Sequence, residues 1–219
     1  MHVVVNAAQS VDGKLATRRR EQLRISGPED FDRVDRVRAA ADAVLVGVGT
    51  VLADDPHLTL DEEDRRVQRL RNGRPGHPAR VVLDSEGRTP TDARILDDAA
   101  TTYLLVSAAA TEERREALTA AGAEVGAVEA ETDEGHVDLA AGFDELADRG
   151  VDRLMVEGGG EVIYSCFAAG LVDEFHVYVG SMVIGGRDAP TLADGGGVTG
   201  GVPRPHLGGP GRVAARVAP

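Results

Sequence analysis

The chain has 219 residues, enough to bury a sizeable core, and 24 basic against 37 acidic side chains give it a formal net charge of −13. Such a field repels phosphate backbones and anionic headgroups, so electrostatic binding to nucleic acid or to a membrane surface is excluded as a function class. The one cysteine, Cys166, excludes an internal disulfide, a CxxC zinc site and a dithiol redox pair.

The start, Met1-His2-Val3-Val4-Val5-Asn6, has no basic region and does not read as a signal peptide. The longest stretch free of charge, Ala99 to Thr111, is shorter than the roughly 18 residues a membrane helix needs. A soluble, cytoplasmic protein is the expectation. Lys14 is the only lysine, and every other basic residue is Arg. An acidic, lysine-poor surface suits hydration in concentrated salt, and a GC-rich genome would make the same exchange.

Short apolar runs alternate with helical patterns, the signature of an α/β sheet. His2–Ala8 reads as a strand and Pro28–Ala40 as a helix, with Ser26 as N-cap and apolar Phe31, Val34 and Val37 at spacing three. Ala43–Val48 is a buried strand running into Gly47-Val48-Gly49-Thr50. Asp61–Arg74 is a mixed-charge segment and reads as a solvated surface insertion. Ala79–Asp84 and Thr102–Val106 are strands, Glu112–Ala121 a helix stopped by Gly122, and Ala123–Val128 a short strand. The helix Leu139–Arg149 leads to the strand Arg153–Val156, then to Glu157-Gly158-Gly159-Gly160 and a helix through about Ala169. Glu174–Val179 is a strand, and Ser181–Ile184 a candidate for another. From 195 to 219 the chain is rich in Gly and Pro, leaving Arg212–Val217 as a candidate edge strand. With no linker and no repeat, residues 1–219 read as one domain.

Three segments carry chemistry. Gly158-Gly159-Gly160-Glu161 follows a strand and opens a helix; free N–H groups there attract anions, and glycines admit a pyrophosphate close to the backbone. The competing reading is a turn chosen for tight packing. In Gly47–Pro56, Thr50 can bond a phosphate or amide and Asp54 a ribose hydroxyl, against the plainer reading of a tight strand-to-helix corner. Asn6–Lys14 sets polar residues just after the first strand. Neither GxGxxG in the first unit nor a GKS or GKT loop occurs, the six histidines show no metal-ligand spacing, and no metal site is expected. Cys166 reads as a core residue.

Taken in order, Asn-x-x-x-Ser-x-Asp-Gly-Lys, Arg-Ile-Ser-Gly, Arg38-Ala39, Gly-Val-Gly-Thr-Val-Leu-Ala-Asp-Asp-Pro-x-Leu-Thr, Val82-Leu83-Asp84-Ser85 and Val156-Glu157-Gly158-Gly159-Gly160 form a more specific set. The chain resembles the pyrimidine reductases of riboflavin biosynthesis, in their archaeal stand-alone form, over residues 2 to 194. The resemblance implies a dihydrofolate-reductase-like α/β fold with a mostly parallel central sheet flanked by helices, and a homodimer. It implies NADPH, or NADH, as donor for reducing the ribosylamino group of a phosphorylated diaminopyrimidinone to a ribitylamino group. The zinc deaminase to which bacterial relatives are often fused finds no Cys set here.

Carried over by position, Thr50, Asp54, Ser85, the Gly158, Gly159 and Gly160 turn and Glu161 are expected to touch the cofactor, and Gln22, Arg38, Leu58 and Glu157 the substrate. Two positions depart from the family: Arg24 stands where Trp is frequent, and Asp61 where Arg is frequent. Arg38 or Lys14 is then expected to meet the phosphate, with Glu157 at the reacting end as orienting group or proton relay. Another dihydrofolate-reductase-like reductase of pterins or pyrimidines, and a non-catalytic nucleotide-binding module, are the alternative readings.

Overall fold

Along the chain run β1 (His2–Ser10), α1 (Pro28–Ala40), β2 (Ala43–Gly47), α2 (Val48–Asp54), α3 (Glu63–Arg71), β3 (Ala79–Leu83), β4 (Thr102–Val106), α4 (Glu112–Ala120), β5 (Glu124–Ala127), α5 (Leu139–Asp148), β6 (Arg153–Gly158), α6 (Gly160–Ala168), β7 (Glu174–Gly180) and β8 (Val213–Val217). This is a computed structural model, which describes residues 1–21, 23–128, 135–197 and the backbone of 213–217. The strands form one sheet in the order β5-β4-β3-β2-β6-β1-β7-β8. Each of its pairings is parallel.

A parallel sheet covered on both faces needs continuous apolar strands, and β2, Ala-Val-Leu-Val-Gly, is buried throughout. Alternation sorts its side chains. Leu45 joins Val5, Leu154 and Val156 beneath Phe143 and Leu146 of α5 and Ile163 and Cys166 of α6. Val44 and Val46 point the other way, to Met155 and to Val48, Val51 and Leu118 on α2 and α4. Each fully buried aliphatic side chain contributes roughly 1.5–3 kcal/mol.

Three expectations change. Residues 61–74 hold helix α3 rather than a surface loop. Two of its arginines face protein: Arg65 Nη1 bonds Asp35 at 2.6 Å, and Arg69 donates to the carbonyls of Ala39, Ala41 and Pro75. Charge composition could not reveal those partners on α1. Ser26 is not the N-cap of α1; Gly27 is, and it makes no side-chain cap bond. Residues 181–184 form no strand, because the Asp12 carboxylate accepts from Ile184 N and Gly185 N while Val11 N donates to the Met182 carbonyl. Those groups close a clasp and leave nothing for a ladder.

Candidate functional site

In a parallel sheet the C-terminal strand ends share one rim, where ligands of open α/β sheets settle. Here the ends of β1, β2 and β6 border a cleft of about 490 Å³ lined by Asn6, Gly47, Thr50, Asp54, Glu157 and Gly159 among others.

Glu157 owes its position to a fault in the ladder. Leu45 pairs with Val156 but Val46 with Gly158, so Glu157 is the extra residue of a bulge between β2 and β6. A bulge re-aims a side chain. Arg38, near the C-terminus of α1, meets it with two bonds: Nε to Oε1 at 2.5 Å and Nη2 to Oε2 at 2.7 Å. Its Nη1 also donates to the Thr59 carbonyl at 3.2 Å. The side chains are 19% and 13% exposed, so most solvent screening is gone. Burial works against the Arg38 charge, yet the Glu157 carboxylate outweighs it and holds the guanidinium above its ordinary range. The two residues expected at opposite ends of a substrate are therefore paired. Arg38 is thus engaged by Glu157, which accepts from it at both carboxylate oxygens.

The glycine turn opens α6 into the same cleft. Gly158 has φ +135°, a conformation that other residues rarely adopt, and the Gly158–Gly159 peptide is cis. Gly159 is the N-cap of α6 and makes no side-chain cap bond, leaving the first N–H groups of the helix to the cleft. A Cβ on Gly159 would lie 3.6 Å from Thr50 Oγ1, which sets the α2 hydroxyl beside the turn. Glu161 is exposed in the first turn of α6 and lines the cleft. Asp54 lines it too, and burial raises its carboxyl above the usual range. Among the described residues the Asp54 carboxylate has no hydrogen-bond or ion-pair partner.

Other expected residues lie apart. Ser85 follows β3 on the same rim but outside the cleft lining; its Oγ accepts from Val137 N at 3.1 Å and its carbonyl from Ser107 Oγ at 2.9 Å. Leu58 is 5% exposed, has φ +51° and packs in the α2 and α4 core, so its side chain does not reach the cleft. Lys14 donates Nζ to the Ala189 carbonyl at 2.9 Å and does not line the cleft. Gln22 lies outside the described residues.

Sequence reasoning missed several cleft residues. Asp30 and Asp35 are buried in α1, satisfied by Arg33 and by Arg65 with the backbone of Asp61. Phe31, expected on the core face, is 46% exposed, with the Arg24 guanidinium 5.2 Å from its ring centre. The spacing of Phe31, Val34 and Val37 concealed this. Cys166 is fully buried, with burial pushing its thiol up to about 12, which suits the core and no nucleophile. Among the described residues no cluster of His, Cys, Asp and Glu could hold a metal ion, and no helix is long and apolar enough to cross a membrane.

The RibD C-terminal domain family matches this chain over residues 1–207. A 2,5-diamino-6-ribosylamino-4(3H)-pyrimidinone 5′-phosphate reductase from Archaeoglobus fulgidus is 48% identical over 195 residues, 89% of this chain and 86% of that protein. One of the same name from Methanothermobacter thermautotrophicus is 45% identical over 204 residues, 90% of this chain and 85% of that protein. The fold is shared with a pyrimidine reductase-like protein from Corynebacterium diphtheriae, with TM-score 0.76 at 21% identity over 88% of this chain and 79% of that one.

Proposed function

Because the chain belongs to the RibD C-terminal domain family, we propose that it reduces 2,5-diamino-6-ribosylamino-4(3H)-pyrimidinone 5′-phosphate, converting the ribosylamino group to ribitylamino in riboflavin biosynthesis. The observation that carries this is one cleft bordered by the open N-terminus of α6 and by the Arg38–Glu157 pair. The reading takes residues 1–219 as a single reductase domain, cytoplasmic and homodimeric, with NADPH, or NADH, as the hydride donor.

The residues fit a dinucleotide: an uncapped helix start, a turn without side chains and a hydroxyl beside it suit a pyrophosphate. When bound, the nicotinamide supplies the hydride. In this reading Gly158, Gly159 and Gly160 receive the pyrophosphate on backbone N–H groups, Thr50 bonds it, and Asp54 accepts from a ribose hydroxyl. Glu161 and Ser85 flank the path along the rim. Arg38 fixes the Glu157 carboxylate, whose remaining lone pairs accept from N–H groups of the substrate and orient it. The resemblance adds Gln22 and Leu58 as further residues on the substrate side.

Oxidation of NADPH on adding the diaminopyrimidinone phosphate, with the ribityl product identified by mass, tests the proposal. No turnover with that substrate, but turnover of a pterin, would replace it. Light scattering across a salt series tests the dimer and the salt requirement, which rests on the charge of −13 and the single lysine.

A further inference from the structure

The cleft contains a second anion-receptive corner, away from the glycine turn. Of its lining residues three are basic, Arg20, Arg24 and Arg38. Arg38 is neutralised by Glu157. Arg24 has no carboxylate partner among the described residues, and its guanidinium lies over the Phe31 ring. A cation over a ring face is held there by the ring quadrupole and keeps its N–H donors for an oxyanion. The backbone beside it is anchored: Ile25 is 9% exposed and its carbonyl packs against β7, where a Cβ on Gly180 would come within 2.6 Å. Ser26 follows, 9% exposed and lining the cleft, with no hydrogen-bond partner for its hydroxyl among the described residues. It precedes the N-terminus of α1, which has no side-chain cap. Asp30, a buried acid in the first turn of α1, is held by Arg33 at 2.8 Å.

We propose that Arg24 and the Ser26 hydroxyl form a phosphomonoester subsite at the N-terminus of α1. A guanidinium and a hydroxyl line the cleft beside a helix start, donors of the kinds that suit a dianion's several oxygens. Two ligands of the proposed reaction carry such a group: the 5′-phosphate of the substrate and the 2′-phosphate of NADPH. Naming the source rests on the proposed reductase activity; the existence of the subsite does not.

Calorimetric titration with ribose 5-phosphate, set against ribose, reads the subsite without turnover. Wild type binds the phosphate ester more tightly than ribose. Arg24→Ala, at an exposed position, folds normally and weakens ribose 5-phosphate by roughly tenfold or more, as loss of a charged hydrogen bond implies. Arg24→Lys retains part of the affinity, because it keeps the charge but not the fork. Ser26→Ala gives a smaller loss. In turnover, a raised KM for substrate with an unchanged NADPH-to-NADH preference assigns the subsite to the substrate, and the converse assigns it to the cofactor. Wild type that binds ribose 5-phosphate no better than ribose, or Arg24→Ala that binds it as wild type does with both KM values unmoved, overturns the subsite. Absence of turnover in wild type would instead sink the reductase reading.

Discussion

The carbonyl of Thr191 occupies the space that a Cβ on Gly160 would need, and Asp194 N donates to the Gly160 carbonyl at 3.1 Å. The first turn of α6 is thus seated on the 191–194 loop with no room for a methyl group. Gly160→Ala should cost about 1–3 kcal/mol, as overpacking does. Gly159→Ala, whose methyl would meet only Thr50 Oγ1 at 3.6 Å, should melt like wild type. Gly159→Asp should also fold yet bind cofactor far more weakly, because it sets a negative charge at the helix start. Equal urea midpoints for Gly160→Ala and wild type would refute the steric argument.

Arg38 and Glu157 should behave as one unit. Arg38→Ala strands a buried carboxylate and should cost roughly 3 kcal/mol, whereas Glu157→Gln keeps shape and an acceptor and should cost less. Both should lower kcat/KM for the substrate, and the double variant should lose less than the sum. Additive losses in a double-mutant cycle would show two independent residues.

Thr50→Val and Asp54→Ala should raise the cofactor KM more than the substrate KM, by an energy of roughly 0.5–1.5 kcal/mol for a neutral bond and more for the carboxylate. Asp54 sits in the cleft with its carboxyl raised by burial. A ribose hydroxyl donating into it favours the ionised form, so cofactor should bind more tightly as pH rises through the Asp54 pKa. Asp54→Asn should abolish that limb; its persistence would place the titrating group elsewhere.

Acid stability should report on Glu174. Burial alone would raise its carboxyl, but hydrogen bonds donated by His176 at 2.8 Å and His2 at 3.4 Å, with Arg153 at 3.1 Å, hold it below the ordinary value of 4.5. A depressed folded-state pKa gives stability that is complete above the unfolded value and lost as pH falls through the folded one. Urea midpoints should therefore decline below about 4.5, with Glu174→Gln flattening the decline. An unaltered slope in that variant would exclude Glu174 as the source.

What could be read in advance follows from what repeats along the chain. β2 and the paired helices declare themselves through apolar period and through stops such as Gly122 and Gly150, and α1 spans the expected Pro28–Ala40. The glycine turn was legible because φ +135° at Gly158 admits little else. The helix at 63–71 was hidden, since its Arg residues find partners on α1 that no local pattern specifies. For the same reason Arg38 and Glu157 were each singled out while their bond was not: they are 119 positions apart and meet through a register shift in a distant pairing.

The place of β1 in the sheet has a consequence for how the protein comes off the ribosome. β2, β3, β4 and β5 pair in the order in which they emerge, yet β1 pairs only with β6 and β7, His2 against Arg153 and Val4 against Glu174. β1 has no neighbour until residues 153–180 exist, and until then the open edge of β2 lacks β6. Long-range pairing of this kind is slow, and unpaired apolar edges invite association between nascent chains. The cleft needs β1, β2 and β6 together, so its walls join only once synthesis has passed Gly158.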